Sequence, residues 1–184
     1  MPAPVPRPIP KQALVAGAAL CLCACLAGCG ATDHSPDRAV LEIDGAYYDA
    51  DGIPTFKVAR DGAVDWRTFS GYLHFTKTCL VCHGEDAGGS TFAPPLMLSL
   101  NNLSYPEFVN AVSLGRKSNA MPAFRENRNV LCHLDDIFVY LRARARRVIG
   151  HGKPEKHEPK PGAIAKVEDE CFGPSWPRQK LAEE

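Results

Sequence analysis

Cys79-Leu80-Val81-Cys82-His83 decides how the rest of this 184-residue chain is read. Two thiols one helical turn apart can each bond to one of the two vinyl groups of a single haem, and the adjoining imidazole then lies under the iron as an axial ligand. A thioredoxin-like redox pair would need a βαβ pattern around it, and half of a zinc site would need a second C-x-x-C; the sequence has neither. A single motif implies a single covalent haem c.

An electron-transfer iron needs a sixth ligand. Once Met1 is lost in processing, the methionines are Met97 and Met121. Met121 stands in Ser118-Asn119-Ala120-Met121-Pro122-Ala123-Phe124, 38 positions after His83, far enough for the chain to reach the other haem face. Pro122 stiffens that loop and Phe124 can cover the haem edge. Met97, between Leu96 and Leu98, reads as apolar packing. Met121 is therefore the expected ligand, with Met97, His133, His74 and His151 as the other candidates. Met/His ligation raises the reduction potential and saturates the iron, which favours electron transfer over ligand chemistry. The second ring nitrogen of His83 needs an acceptor that fixes its tautomer, and the carbonyl of Pro94, eleven positions on, is the candidate. Pro94 and Pro95 read equally well as simple chain breakers.

Working outward, Asp65 can cap a helix that runs to the motif and buries Trp66, Phe69, Tyr72 or Leu73, and Thr76. Ser104-x-x-Glu107 is a capping box with Pro106 in the first turn; it opens a helix that buries Phe108, Ala111 and Val112 and stops at Gly115. A third helix from about Asn129 to Arg146 presents Leu131, Leu134, Ile137 or Phe138, Leu141 and Ala145 on one face, with Arg142, Arg144, Arg146 and Arg147 at the negative end of its dipole. His133 on that helix reads as a surface or boundary histidine. Three helices around one haem are expected.

The start of the chain has a different role. Met1–Lys11 is Pro-rich, with Arg7 and Lys11 and no acid, and Ala13–Ala27 is uninterrupted small and apolar sequence. This is the pattern of a secretory signal peptide. Its end, Leu26-Ala27-Gly28-Cys29, resembles the lipobox of bacterial lipoproteins, in which Cys29 is lipidated and becomes the first residue. Cleavage after Ala27 and an uncleaved anchor are the alternatives, although the run is short for a membrane span. Each reading takes the protein out of the cytoplasm, and covalent c-type haem attachment takes place outside it. Removing residues 1–28 removes two of 21 basic side chains and none of 21 acidic ones, leaving a formal charge of −2. That balance excludes nucleic acid as the main partner. With 45% hydrophobic and 23% charged residues, the composition also excludes collagen, a coiled-coil rod and a wholly disordered chain.

Eight cysteines are many for this length. Cys21, Cys23 and Cys25 leave with the signal peptide, Cys29 takes the lipid, and Cys79 and Cys82 take the haem, so Cys171 is left with Cys132. In an oxidising compartment these two are expected to form a disulfide. Closing a 39-residue span would stabilise the fold by roughly 4 kcal/mol in the chain-entropy model. It would staple an otherwise extended tail, rich in Lys, Glu and Pro from His151 to Pro161, across the third helix, where Trp176 can also pack. Before the first helix, Ala46–Asp49 and Ile53–Val58 flank Asp51-Gly52, which predicts a small β-hairpin with positive φ at Gly52. Asp49-Ala50-Asp51-Gly52 also resembles the opening of a calcium loop, but its closing acidic residue is missing.

Val64-Asp65-Trp66, Cys79 to Gly84, Gly89-Ser90-Thr91-Phe92-Ala93-Pro94, Met121-Pro122-Ala123-Phe124, Leu134 through Arg144 and Tyr47-Tyr48-Asp49-Ala50-Asp51-Gly52 together resemble the four-cysteine, methanol-metabolism-related c-type cytochromes. The likeness covers about residues 45–162. The segment between Gly115 and Met121 is shorter than that family's, and His133 stands where an aromatic residue is expected. The resemblance implies a mainly α, class I-like monohaem cytochrome c fold with a small N-terminal β-hairpin and a disulfide-stapled C-terminal tail. The expected parts are a lipoprotein signal peptide (1–28), a tether (29–45), a β-hairpin extension (46–64), a cytochrome c domain (65–150) and an extended tail (151–184).

The resemblance further implies a non-enzymatic electron carrier. Its donor would be a pyrroloquinoline quinone (PQQ)-dependent alcohol or methanol dehydrogenase, and its acceptor a cytochrome or terminal oxidase. The expected location is the bacterial periplasm, with membrane attachment through lipid alone. A haem peroxidase, a gas-binding haem sensor and a fixed haem subunit of a membrane complex are the alternatives. Arg142 to Lys160 carries seven basic and two acidic side chains, and it reads either as a docking face or as a solvated helix end.

Overall fold

Asp65 opens the first long helix as its position requires. Its side chain accepts from the Thr68 backbone N–H at 3.0 Å and the Thr68 hydroxyl at 2.6 Å, satisfying a donor that the helix itself leaves free. In this computed structural model, which describes residues 37–173, the helix is α1 (Trp66–Thr78). The expected signal peptide, Cys29 and Trp176 lie outside the described residues. Then come α2 (Leu80–His83), α3 (Leu96–Ser99), α4 (Tyr105–Leu114), α5 (Arg128–Leu131), α6 (Leu134–Ala145) and α7 (Gly162–Phe172). Among the described residues none of these helices is long and apolar enough to cross a membrane.

The core lies where α1 crosses α6. A Cβ at Gly71 would come 1.9 Å from the Asp136 carbonyl oxygen and 2.7 Å from the Tyr140 Cβ, so only glycine lets the two backbones meet this closely. Phe75, Ile137, Phe138, Tyr140 and Leu141 are buried around this crossing. α4 joins through Phe108, whose ring centroid is 5.2 Å from that of Phe138, and Tyr105 meets the same ring at 5.0 Å. The Ser104 capping box with Glu107 opens α4, and Gly115 ends it.

Three expectations are corrected. First, the tether does not extend to residue 45: Leu41–Ile43 is a strand, β1, paired antiparallel with β2 (Ala46–Tyr48), which pairs in turn with β3 (Pro54–Thr55). Asp44 and Gly45, at φ 54° and 81°, form the two-residue turn that reverses the chain. The predicted hairpin is thus part of a three-stranded sheet. In its second turn, Asp49 Oδ1 accepts from the Asp51 and Ile53 N–H groups at 2.9 Å, so this carboxylate closes a turn, and Gly52 sits at φ 75°.

Second, the third helix is broken at Cys132-His133. His133 takes φ −122° and ψ 22° between α5 and α6, and Asp135 and Asp136 favour a fresh helix start through the dipole. Third, the tail expected to be extended contains α7. Ile164, Glu168, Cys171 and Phe172 recur at helical spacing, and Ile164 and Phe172 are buried. Cys132 and Cys171 form the disulfide that ties α7 to the α5–α6 junction, with their Cα atoms 5.8 Å apart.

Candidate functional site

α1 delivers Cys79 directly after its last residue, where the Cys79 N–H donates to the Phe75 carbonyl at 2.7 Å. α2 then presents Cys82 and His83 within one turn. Both thiols are free; Cys82 is exposed, and Cys79 is half-buried, so desolvation pushes its thiol up to about 12. His83 is 8% exposed and its Nδ1 lies 3.0 Å from the Pro94 carbonyl oxygen. A carbonyl only accepts, so Nδ1 carries the proton and Nε2 keeps its lone pair. The loop that supplies Pro94 is folded back on the motif: the Gly89 N–H donates to the His83 carbonyl at 2.7 Å, and the Ser90 hydroxyl donates to the Cys82 carbonyl.

Met121 is half-buried in a loop pinned at both ends. Its N–H donates to the Arg116 carbonyl at 3.2 Å, and the Arg116 N–H returns a bond to the Met121 carbonyl at 3.0 Å. Phe124, also half-buried, donates its N–H to the Val112 carbonyl at 3.0 Å. Gly115 stands at φ 72°, and a Cβ there would come 2.6 Å from the Met121 carbonyl oxygen. The helix stop read from the sequence is therefore also the residue that lets the methionine loop approach α4.

The other ligand candidates are placed as follows. Met97 is half-buried in α3. His151 is exposed, with Nδ1 2.9 Å from Asp86 Oδ2. His74 and His133 stack on each other with centroids 3.5 Å apart. His133, expected at the surface or its boundary, is 5% exposed because α7 folds over it; Phe172 lies 5.6 Å away, ring to ring.

The residues present fit a haem. They offer two free thiols, an imidazole with one nitrogen tied down and the other free, and apolar side chains left incompletely covered. Leu80, Leu96, Val112 and Phe124 are only partly buried where they meet the core, while Val81 and Phe92 are 75% and 79% exposed. Residues so exposed around the motif are what a large planar apolar group would cover.

The basic segment 142–160 is largely committed internally. Arg142 and Arg146 both pair with Asp37, a buried residue that sequence reading missed because its partners lie more than a hundred positions away. Arg144 is 3% exposed and donates to the Ile149 carbonyl at 3.0 Å and the Asp86 carbonyl at 3.3 Å. Lys156 pairs with Asp61, and Lys160 with Glu168. Arg144 and Arg146 are structural residues rather than members of a free basic face.

No protein-family model matches the chain. Over 146 residues it is 42% identical to cytochrome c-553I of Paracoccus denitrificans, covering 76% of this chain and 63% of that protein. It therefore spans less than two thirds of that relative. Over 94 residues it is 37% identical to cytochrome c-555 of Methylococcus capsulatus, covering 50% of this chain and 75% of that one. Its fold matches the crystal structure of the c-type cytochrome XoxG from Methylobacterium extorquens AM1 with a TM-score of 0.72 and 48% identity, covering 74% and 87% of the two chains. This chain belongs to the c-type cytochromes, electron carriers that hold haem c covalently.

Proposed function

We propose that this protein is an exported monohaem electron carrier, anchored to a membrane by lipid on Cys29. In this reading it takes electrons from a PQQ-dependent alcohol or methanol dehydrogenase and passes them to a cytochrome or terminal oxidase. The observation that carries the electron-carrier reading is His83, buried beside two free thiols with Nδ1 bound at 3.0 Å to a proline carbonyl and Nε2 left to a metal. The dehydrogenase partner rests on the resemblance carried by Met121-Pro122-Ala123-Phe124, the Leu134–Arg144 run and the sheet residues Tyr47 to Gly52.

When bound, the haem supplies a one-electron iron couple. Cys79 and Cys82 hold it through two thioethers, so it cannot dissociate between donor and acceptor. His83 would ligate the iron through Nε2, its ring oriented by the Pro94 carbonyl. Met121 would supply the second protein ligand from its pinned loop, and Phe124 would help to keep water out. Two protein ligands fixed in this way would keep reorganisation small when an electron is gained or lost. The test is stopped-flow mixing of the ferric protein, lacking its lipid, with a PQQ-dependent alcohol dehydrogenase and its alcohol. Fast, saturable appearance of the reduced spectrum is expected. Slow, unsaturable reduction would remove that class of donor.

A further inference from the structure

We infer that His133, Asp136 and Glu168 form a binding site for a divalent transition-metal ion of the zinc type, separate from the haem site, where the α5–α6 junction meets α7. One ligand atom from each residue lies within 4.8 Å of the other two. His133 is 5% exposed, and its Nδ1 lies 2.9 Å from the Asn129 carbonyl oxygen. That bond assigns the proton to Nδ1 and leaves the Nε2 lone pair 3.7 Å from Glu168 Oε2, too far for a hydrogen bond. Glu168 Oε1 is buried with no hydrogen-bond partner. Asp136 uses Oδ2 to accept from the Ser70 hydroxyl at 2.7 Å, while its Oδ1 is 3.6 Å from Arg67 Nε, which also lacks a hydrogen-bond partner.

Two buried donors and one partly buried donor therefore converge with some of their capacity unused. Tetrahedral metal–ligand bonds of about 2.0–2.2 Å would bring ligand atoms now within 4.8 Å of one another to about 3.4 Å apart, which takes rotation of the two carboxylates. A cavity of about 330 Å³, with Asp136 and Glu168 in its wall, leaves room for water as a fourth ligand. An imidazole with two carboxylates suits zinc better than magnesium or calcium, which take all-oxygen sites.

The surrounding charges set conditions on binding. Arg67 and Lys160 already face the two carboxylates, so affinity is moderated. His74, stacked on His133, is held down to about 3 by burial and by His133 itself, and so adds no positive charge at neutral pH. The ligands must be deprotonated to bind, so affinity falls as pH is lowered. His133 follows Cys132, and Glu168 precedes Cys171 by three positions. A bound ion would thus join the same elements as the disulfide and hold α7 when that bond is reduced.

The test uses the haem-loaded protein freed of other metals by chelation, then dialysed against zinc chloride with magnesium in excess. About one zinc per chain is expected, with a rise in Tm. Affinity should fall at least tenfold in Glu168→Gln and in His133→Gln, with the haem spectrum unchanged as a check on folding. Glu168 is partly exposed and its amide is isosteric, so this variant carries the test even if His133→Gln folds poorly. The inference is overturned if no zinc is retained, which leaves a plain His133–Glu168 ion pair. It is overturned equally if both variants bind as wild type does, which places the metal on surface histidines such as His151 or His157.

Discussion

His74 shows how one buried side chain can shape the response of the fold to pH. Burial, followed by the stacked His133 and by Lys77 and Lys160, depresses it to about 3 against the opposing effect of Glu168, whereas in the unfolded chain it protonates near its ordinary 6.5. Between those values the unfolded state binds the extra proton, so His74 makes stability fall as pH drops. Asp136 acts in the opposite sense. It stays protonated in the fold up to about 7 but ionises near 3.8 when unfolded, so its contribution is greatest at low pH and is lost as pH rises through that range. The two slopes, each about 1.4 kcal/mol per pH unit at most, nearly cancel between about pH 4 and 6.5. Denaturant melts of His74→Phe, which keeps the stacked ring, should therefore show stability rising as pH is lowered where wild type is flat; identical profiles would refute this assignment. At this scale Asp65 and Ser104 were legible because their partners, Thr68 and Glu107, lie three positions away on the same helix. His133 was misread because what covers it, α7 and Phe172, returns from some forty residues away, which spacing within one helix does not show.

Among the elements, the α1–α6 crossing and the α7 staple set the stability of the domain. Gly71→Ala gains about 1 kcal/mol of helix propensity, but its Cβ would fall 1.9 Å from a backbone oxygen on α6. The clash wins, and a net loss of about 1–3 kcal/mol in thermal or denaturant unfolding is expected. Cys132→Ser with Cys171→Ser should cost roughly 4 kcal/mol in the chain-entropy model. Faster hydrogen exchange over 162–172 would show that α7 is what loosens; unchanged exchange there would mean that the Ile164 and Phe172 contacts suffice. The long helices were legible from caps and apolar spacing. β1 was missed although Asp44-Gly45 is a recognised hairpin turn, because the residues after a lipid anchor were read as a spacer. α7 was missed because the Lys, Glu and Pro run before it masks its short apolar repeat.

Over the whole molecule, the local excess of five positive charges in 142–160 does not become a free basic surface. Asp37 takes up Arg142 and Arg146, and backbone carbonyls take up Arg144, so much of that charge holds the start of the described chain and the end of α6 in place. Such pairings span the chain and are invisible to composition. What the whole fold does present is an incompletely covered apolar region around Cys79–His83, with a methionine loop pinned to α4. The central claim is that Met121 closes the iron, so that the protein carries electrons and binds no small ligand. The most direct measurement is carbon monoxide binding to the ferrous protein at neutral pH. Wild type should show no spectral change, and Met121→Ala should bind the gas readily. Avid binding by wild type, or none by the variant, would contradict the account.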